Sequence, residues 1–554
     1  MAPPGINVEV VAETDTTGVT LPEPLTLSGI GKRRTAAGRL VAGVAAAADV
    51  EAFKGITSHS HKHLARRWDH RLTKESAGRQ GNRLKAAAKY LKNPGMISLG
   101  GGLPSSEYFP FDELSVKVPT AGGYSEQAVH EFGQVLTAGK HDLANEKSLF
   151  DIETAFNYGQ GTGSAQLLRY LIEHTELVHD PPYRDWQCTM TIGSTSALDM
   201  SLRMFLNPGD YVLTEEYTFS AAVETTRQMG GRLLSIPIDS EGLIPSAIDS
   251  ILTNWDPVAR QARKPFLIYT VPTGQNPTGA TMSLQRRRDL YTIAQKHDLF
   301  ILEDEPYYFL QMQPYTGPDA PPAPLPPSHA AFLRSLVPSL LSLDTDGRVM
   351  RMDSFSKVIA PGARLGWITA SAQLIERYIR HADLSTQSPS GMSQLVLFKL
   401  LDEHWGHSGY LDWLIHMRVE YTRRRDVMLA ACDAHLPKDL VSWQAPAAGM
   451  FHWMKVEYKL HPKFKSGEKD VLELEEDIFQ ASVRKGALVM KGSFFYADDE
   501  VRHDTMFFRA TYAAAPFDRI VEAVRRFGEA VREEFGVVVE GKGEDGNGNG
   551  VNGH

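Results

Sequence analysis

Residues 266–279 read Phe-Leu-Ile-Tyr-Thr-Val-Pro-Thr-Gly-Gln-Asn-Pro-Thr-Gly, and residues 299–305 read Leu-Phe-Ile-Leu-Glu-Asp-Glu. Each is a short apolar run that stops abruptly in polar residues, the pattern of a strand buried on both faces. Between them, 283–297 carries apolar residues at helical spacing. Strand, loop, helix and strand in that order predict one parallel βαβ step. Working outward, the alternation recurs. A helical pattern over 164–175 leads to a strand at 187–192, then Gly193-Ser194-Thr195-Ser196 and a helix with Leu198, Leu202 and Phe205 on one face. Asn207-Pro208-Gly209-Asp210 ends that helix by turn chemistry, and 211–213 reads as the next strand. Sheet pattern resumes at 349–353 and 365–369. The fold class is therefore α/β, a large domain around a mostly parallel sheet. Beyond residue 400 come a long amphipathic helix (408–435), short strands at 450–454, 488–491 and 506–512, and a last helix at 516–534, which predict a smaller α+β domain.

Composition bounds the rest. The chain has 554 residues, 42% hydrophobic and 23% charged, the ordinary soluble mixture. A net charge of −9 disfavours a chain that coats nucleic acid. Only Cys188 and Cys432 are present, which rules out a disulfide framework or a four-cysteine zinc site; both lie in apolar patterns and read as core. The longest apolar run, 40–48, is far short of the ~20 residues a membrane span needs. Residues 1–31 hold no Lys or Arg but carry Glu9, Glu13, Asp15 and Glu23, unlike a targeting leader; the basic-then-apolar segment 32–48 starts late for one. The expected location is the cytoplasm. Residues 1–31 and 541–554 read as unstructured. The stretch 54–92, with eleven Lys or Arg against two acids, reads as a solvated helix and arm.

Four polar clusters stand at predicted strand ends, where open α/β sheets bind ligands. Ser194-Thr195-Ser196 opens a helix, whose free N–H groups and dipole make a phosphate cup, although Ser and Thr are also ordinary N-caps. Gln275-Asn276-Pro277-Thr278-Gly279 has turn chemistry. Glu303-Asp304-Glu305 packs three acids against a buried strand, which is costly unless something cationic meets them. A pyridinium or a metal would serve, but the metal lacks a nearby His or second carboxylate cluster. Ser354-Phe355-Ser356-Lys357, with Arg364 beyond, offers a lysine nucleophile. It also fits the Ser-x-x-Lys pattern of serine acyl enzymes, whose Lys-Thr-Gly and Ser-Asp-Asn companions do not occur here. His59, His61 and His63 lack further metal ligands.

Together, Gly193-Ser-Thr-Ser-Ala197, Asn276-Pro-Thr-Gly279, Asp304-x-x-Tyr307, Ser354-x-Ser356-Lys357 and Arg364-x-Gly366 resemble the signature of the fold-type I pyridoxal-phosphate aminotransferases, class I/II. The kynurenine/2-aminoadipate and fungal-type aromatic branch is most similar. Its phrases stand here as Ile97-Ser-Leu-Gly-Gly-Gly-Leu-Pro104, Tyr269 to Gly279, Asp353-Ser-Phe-Ser-Lys357 and Ala447-Ala-Gly-Met-Phe451. The resemblance spans roughly 70–535. It implies the cofactor pyridoxal 5′-phosphate, with Lys357 as covalent anchor and acid–base group, Asp304 on the ring nitrogen, and Tyr307 and Asn276 on the ring's phenolic oxygen. It further implies Ser194, Thr195, Ser354, Ser356 and Arg364 around the phosphate, Phe219 stacked on the ring, and Arg509 on the substrate carboxylate. Tyr158 would reach across a homodimer interface into a shared site, Gly101 and Leu103 would face substrate, and Lys85 would be a cationic substrate contact.

The implied division is an N-terminal extension, partly disordered (1–69), an arm serving the small domain and substrate site (70–115), an insertion (116–150), a large cofactor domain (151–400, with a Pro-rich insertion at 311–345), a small domain (401–538) and a disordered tail (539–554). The implied reaction moves the amino group of phenylalanine, tyrosine or tryptophan, or of kynurenine or 2-aminoadipate, to 2-oxoglutarate in a ping-pong cycle. The partners are small amino acids and 2-oxo acids, with no nucleic acid and no membrane. Two rivals stand beside it: another reaction on the same cofactor, a β-lyase or synthase, and a ligand-sensing transcription regulator, favoured only by the basic stretch 54–92.

Overall fold

A computed structural model of the chain describes residues 25–55, 62–87, 90, 95–97, 99–100, 102–318, 321, 324–498 and 504–537. A helix, Leu27–Ala37, comes first, capped by the Thr26 side chain on the Gly29 N–H. It overlaps the stretch expected to be unstructured, and its anchor is tertiary: Arg34 pairs with the buried carboxylates of Glu173 (2.5 Å) and Asp402 (2.6 Å), and Arg33 with Glu176 (2.7 Å). A hairpin follows, β1 (Glu113–Val118) against β2 (Gln134–Gly139), with a short helix, Glu126–Phe132, between its strands. The expected boundary at 115/116 falls inside β1.

The central sheet uses β3 (Trp186–Thr191), β4 (Tyr211–Glu215) and β5 (Arg232–Ile236). A two-residue ladder of β6 (Ile238–Asp239) and β7 (Gly242–Leu243) stands beside it. The sheet is completed by β8 (Leu267–Thr270), β9 (Phe300–Asp304), β10 (Val349–Ser354) and β11 (Gly366–Ser371). The order is β3-β11-β10-β9-β8-β4-β5, and β11 alone runs antiparallel to the rest. The strands β8 to β11 are buried along their whole length and β3 to β5 along most of theirs, as expected when helices cover both faces of a mostly parallel sheet. Six carboxyl ends and the amino end of β11 therefore open on one edge.

The second domain has a four-stranded sheet, β12 (Val441–Trp443), β13 (Phe451–Val456), β14 (Met490–Lys491) and β15 (Met506–Thr511), in the order β12-β13-β15-β14. Its core gathers Met454, Phe508, Ile520 and Phe527. One helix, Gly406–His435, serves both cores: Tyr410, Leu411 and Leu414 join the large one, Met428 and Cys432 the small one. The divide thus lies within this helix, beyond the expected 400/401, because a single rod supplies apolar faces to both. The described part of the arm also differs from expectation. Residues 73–78 pack on the large domain, through the Thr73 N–H on Met204 and the Ser76 hydroxyl with His381 at 2.5 Å. Within 311–345, Leu340 and Leu341 are core residues, not surface insertion.

Among its described residues the basic stretch forms short helical segments, 69–71, 74–78 and 83–87, rather than one solvated helix. Most of its described cations are spent on acids: Lys54 on Glu51, Lys62 on Asp180, Arg66 and Arg71 on Asp298, Arg67 on Asp69, Arg79 on Glu75 and Lys85 on Asp383. Charges paired in this way present less field to a nucleic acid backbone, which weakens the one feature favouring the regulator. Among the described residues, no helix is long and apolar enough to cross a membrane.

The two domains meet backbone to backbone. Gly274, in the loop after β8, and Gly449, in the loop before β13, both adopt left-handed φ (+58° and +81°). A Cβ at Gly274 would stand 2.6 Å from the Gly449 Cα. Only glycine satisfies both the conformation and the space.

Candidate active site

The acid cluster at the end of β9 resolves by strand alternation. Glu303 and Glu305 turn to one side, where Arg287 lies 3.7 and 3.1 Å away and Arg351 3.5 and 3.9 Å away; Arg351 also pairs with Asp353 at 2.7 Å. Glu303 additionally accepts the Leu340 and Leu341 N–H groups (2.7 and 3.1 Å), and Glu305 the Thr273 hydroxyl (2.9 Å). Two of the three acids thus have cations from within the chain. Asp304 points the other way. Its Oδ2 accepts the Tyr269 hydroxyl at 2.8 Å, while its Oδ1 is buried with no hydrogen-bond partner among the described residues. Burial foremost, and then the carboxylates of Asp353 and Glu215, raise its pKa to about 6 despite the Tyr269 bond and Arg351.

Lys357 follows β10 in a turn and is half-buried. Burial, with the nearby cations Arg364 and Arg509, lowers its pKa, and Asp304 partly opposes them. Tyr307 is buried in a turn after β9, with its ring edge-on to Phe451 at 5.8 Å; burial and Asp304 hold its hydroxyl protonated. Arg509, on β15, donates to the Asn276 Oδ1 at 2.8 Å across the domain junction. Its guanidinium lies between the rings of Phe451 and Phe495, 4.4 and 4.6 Å from their centres, and no acid among the described residues pairs with it. Burial lowers its pKa, as expected of a cation kept without a counter-ion.

The residues expected around the phosphate also converge. The helix Gly193–Phe205 starts directly after β3 with no side-chain cap, leaving its first N–H groups free for an anion. Ser194 Oγ is buried without a partner among the described residues, and Thr195 is exposed in the same turn. Ser354 donates to Ser356 at 2.9 Å. Arg364 reaches Ser356 Oγ (3.4 Å) and the Ile192 carbonyl (3.3 Å), tying the end of β10 to the end of β3. Gly193 has φ +73°, and a Cβ there would collide with the Arg364 guanidinium. Phe219 sits half-buried at the head of the helix Ser220–Gln228, after β4.

Of the other expected contacts, Tyr158 is 60% exposed and Leu103 40% exposed in the single chain. Lys85 is committed to Asp383 at 2.7 Å and is not a free cation. Gly101, His59 and His61 lie outside the described residues, while His63 forms a backbone bridge to Tyr183. Cys188 and Cys432 are buried and free. Among the described residues, no group of three or more His, Cys, Asp or Glu could hold a metal ion. Tyr269, Arg287 and Arg351 escaped the sequence reading. They sit inside a strand or helix, and only the pairing of β8, β9 and β10 brings them to the acids.

A buried carboxylate with one oxygen unpartnered has a measurable cost. Between about pH 4 and pH 6 the folded chain holds a proton on Asp304 that the unfolded chain has released, so stability falls as pH rises through that window. Above pH 6 the penalty is full, about 2–3 kcal/mol. Asp304→Asn is therefore expected to raise the melting temperature of the ligand-free protein at pH 8, and the gain should disappear towards pH 4 in a scanning calorimeter.

A profile described as aminotransferase class I and II matches residues 124–527. An aromatic amino acid aminotransferase of Schizosaccharomyces pombe is 43% identical over 84% of this chain and 98% of its own. An L-tyrosine:2-oxoglutarate aminotransferase of Tapinella panuoides is 36% identical over 71% of this chain and 75% of its own. The crystal structure of aminotransferase Aro8 from Candida albicans superimposes with a TM-score of 0.81 at 42% identity, covering 86% of this chain and 100% of that one.

Proposed function

The chain belongs to the class I and II aminotransferases, and from that premise we propose that it moves the amino group of an aromatic amino acid to 2-oxoglutarate, using pyridoxal 5′-phosphate. The observation that carries the cofactor is Asp304: one buried carboxylate oxygen without a donor and, unlike Glu303, Glu305 and Asp353, no ion-paired arginine among the described residues. A protonated ring nitrogen is the donor that fits it. The unpartnered Ser194 Oγ and the Gly193 cradle beneath Arg364 fit the phosphate. Ser194, Thr195, Ser354, Ser356 and Arg364 would hold the phosphate, Asp304 the ring nitrogen, Tyr307 and Asn276 the phenolic oxygen, and Phe219 a ring face. When bound, the group supplies an aldehyde that takes up nitrogen and a ring that delocalises the electron pair left at the substrate's α carbon.

The chain's own residues do the rest. Lys357 is held by burial and two cations in a form that gives up its proton more readily than free lysine, so its Nζ can bond a carbonyl and move a proton at the α carbon. Arg509 offers its planar fork to the α-carboxylate, with Asn276 and the rings of Phe451 and Phe495 fixing its plane. A carboxylate at Arg509 also places the α hydrogen of an L-amino acid on a defined side. Both the donor and the acceptor carry that carboxylate, which is why one site serves two half-reactions. The aromatic donor is supported by the similarity to the Schizosaccharomyces and Tapinella enzymes, and 2-oxoglutarate by the latter. A homodimer is supported by the exposed apolar side chains of Ile97, Leu99, Tyr108, Phe111 and Tyr158, the kind of side chain that a partner subunit would cover.

Purified protein given L-phenylalanine, L-tyrosine or L-tryptophan with 2-oxoglutarate is expected to form glutamate and the aryl 2-oxo acid in equal amounts. Omitting 2-oxoglutarate should limit turnover to one equivalent per site. Continuous release of ammonia or pyruvate without an acceptor would overturn amine transfer in favour of a lyase.

A further inference from the structure

A carboxylate can accept from a ring nitrogen only while it is charged, and Asp304 has much against that. Burial, Glu215 at the end of β4 and Asp353 on β10 all favour its proton; Arg351 on β10 opposes them, and Lys357 and Tyr307 stand nearby. One direct hydrogen bond reaches it. On the reading above that the site holds pyridoxal phosphate, we propose that Tyr269 is the positioning residue that keeps Asp304 charged and leaves its Oδ1 for the ring nitrogen.

The geometry is set by the sheet. Tyr269 on β8 pairs in register with Leu302 on β9, so its side chain leaves the sheet on the same face as Asp304, two residues further on. Its hydroxyl donates to Oδ2 at 2.8 Å. The polarity of that bond is fixed, because burial and the acids around it hold the phenol far above its ordinary pKa, so the proton stays on Tyr269. Tyr269 occupies one oxygen and rotates the carboxylate so that the other is open. A phenylalanine would fill the same volume and do neither.

The test uses pyridoxamine 5′-phosphate, which has no aldehyde to bond Lys357, with affinity read from its fluorescence across pH 5–9. Tyr269→Phe is expected to weaken binding at pH 8 by about tenfold to a hundredfold, as for loss of a hydrogen bond to a charged group. It should also move the acid limb of the affinity profile up by about one pH unit. The phosphate's own ionisation is common to both proteins and drops out of the comparison. Two controls separate positioning from packing. The 1-deaza analogue, with C–H in place of the ring nitrogen, should bind wild type and Tyr269→Phe alike. In an Asp304→Asn background the further change Tyr269→Phe should alter affinity by less than about twofold, since coupled residues lose their effect together. Tyr269→Met removes the hydroxyl by a second route and should reproduce the shift if the first variant folds poorly. Weakening that is equal at every pH and equal for the deaza analogue would overturn the proposal while leaving the cofactor reading intact. A wild-type protein with no affinity at any pH would overturn both.

Discussion

Lys357→Ala is expected to lower the rate of amine transfer by about four orders of magnitude, the upper range for losing one acid–base group, because the same side chain is also the proposed nucleophile. Lys357→Arg should fail equally: it keeps the charge and roughly the length but offers no amine that loses its proton. Neither change should harm the fold. Lys357 is a half-buried cation crowded by Arg364 and Arg509, so its removal relieves repulsion. The check is a pair of measurements on one preparation, initial rates with saturating donor and acceptor, and thermal unfolding. A rate within tenfold of wild type, with the melting temperature unchanged, would show that another group performs the proton transfer.

Arg351→Met is expected to act in the opposite sense, on the fold before the chemistry. Arg351 is fully buried beneath the site with Glu303 at 3.5 Å, Asp353 at 2.7 Å and the Tyr308 ring at 4.5 Å. Without it, Glu303 and Glu305 share Arg287 alone, and Asp353 loses its ion-pair partner. Breaking a buried ion network by removing one partner costs about 3–5 kcal/mol, because the remaining charges stay buried without compensation. Many proteins have little more than that in total, so poor soluble yield is expected, with a urea midpoint displaced accordingly. The loss has a pH signature. Glu305, pushed up to about 7 chiefly by burial, takes a proton readily once Arg351 is gone, so the deficit should shrink as pH falls from 8 to 6. A midpoint equal to wild type at pH 8 would show that the network is neutral in the folding balance.

The candidate site was legible in the sequence to the extent that its residues sit at or beyond strand ends. Asn276, Asp304, Ser354, Lys357 and Arg364 interrupt apolar runs, and a polar residue at the end of a buried strand announces itself without knowledge of any partner. Tyr269 and Arg351 lie inside such runs, where a tyrosine or arginine looks like one more core residue or an anomaly. Their meaning depends on register: Tyr269 matters because β8 and β9 are neighbours, and nothing local says so. The helix Leu27–Ala37 was hidden for a related reason. Its Gly, Ser and Thr content argues against a stable helix, and it is held by Arg34 contacts to Glu173 and Asp402, 139 and 368 residues away in the chain. The basic stretch misled because its partners, Asp180, Asp298 and Asp383, are likewise distant. The domain boundary was missed because amphipathic spacing shows that a helix has an apolar face but not that Gly406–His435 shares that face between two cores.

Glu303, Asp304 and Glu305 are chemically near-equivalent, and only the pleat of β9 distinguishes them. A strand that sorts three like side chains by parity works as a reading frame. Deleting or inserting one residue within Phe300–Leu302 would leave composition, charge and hydrophobicity almost untouched, yet it would carry Asp304 into the arginine layer and swing a glutamate into the site. Substitutions along those three positions can be absorbed by repacking; a single-codon shift in length cannot. Laboratory libraries and natural lineages of this chain should therefore vary freely in apolar identity at Phe300, Ile301 and Leu302, while the spacing from the turn at Asp298 to Asp304 stays fixed.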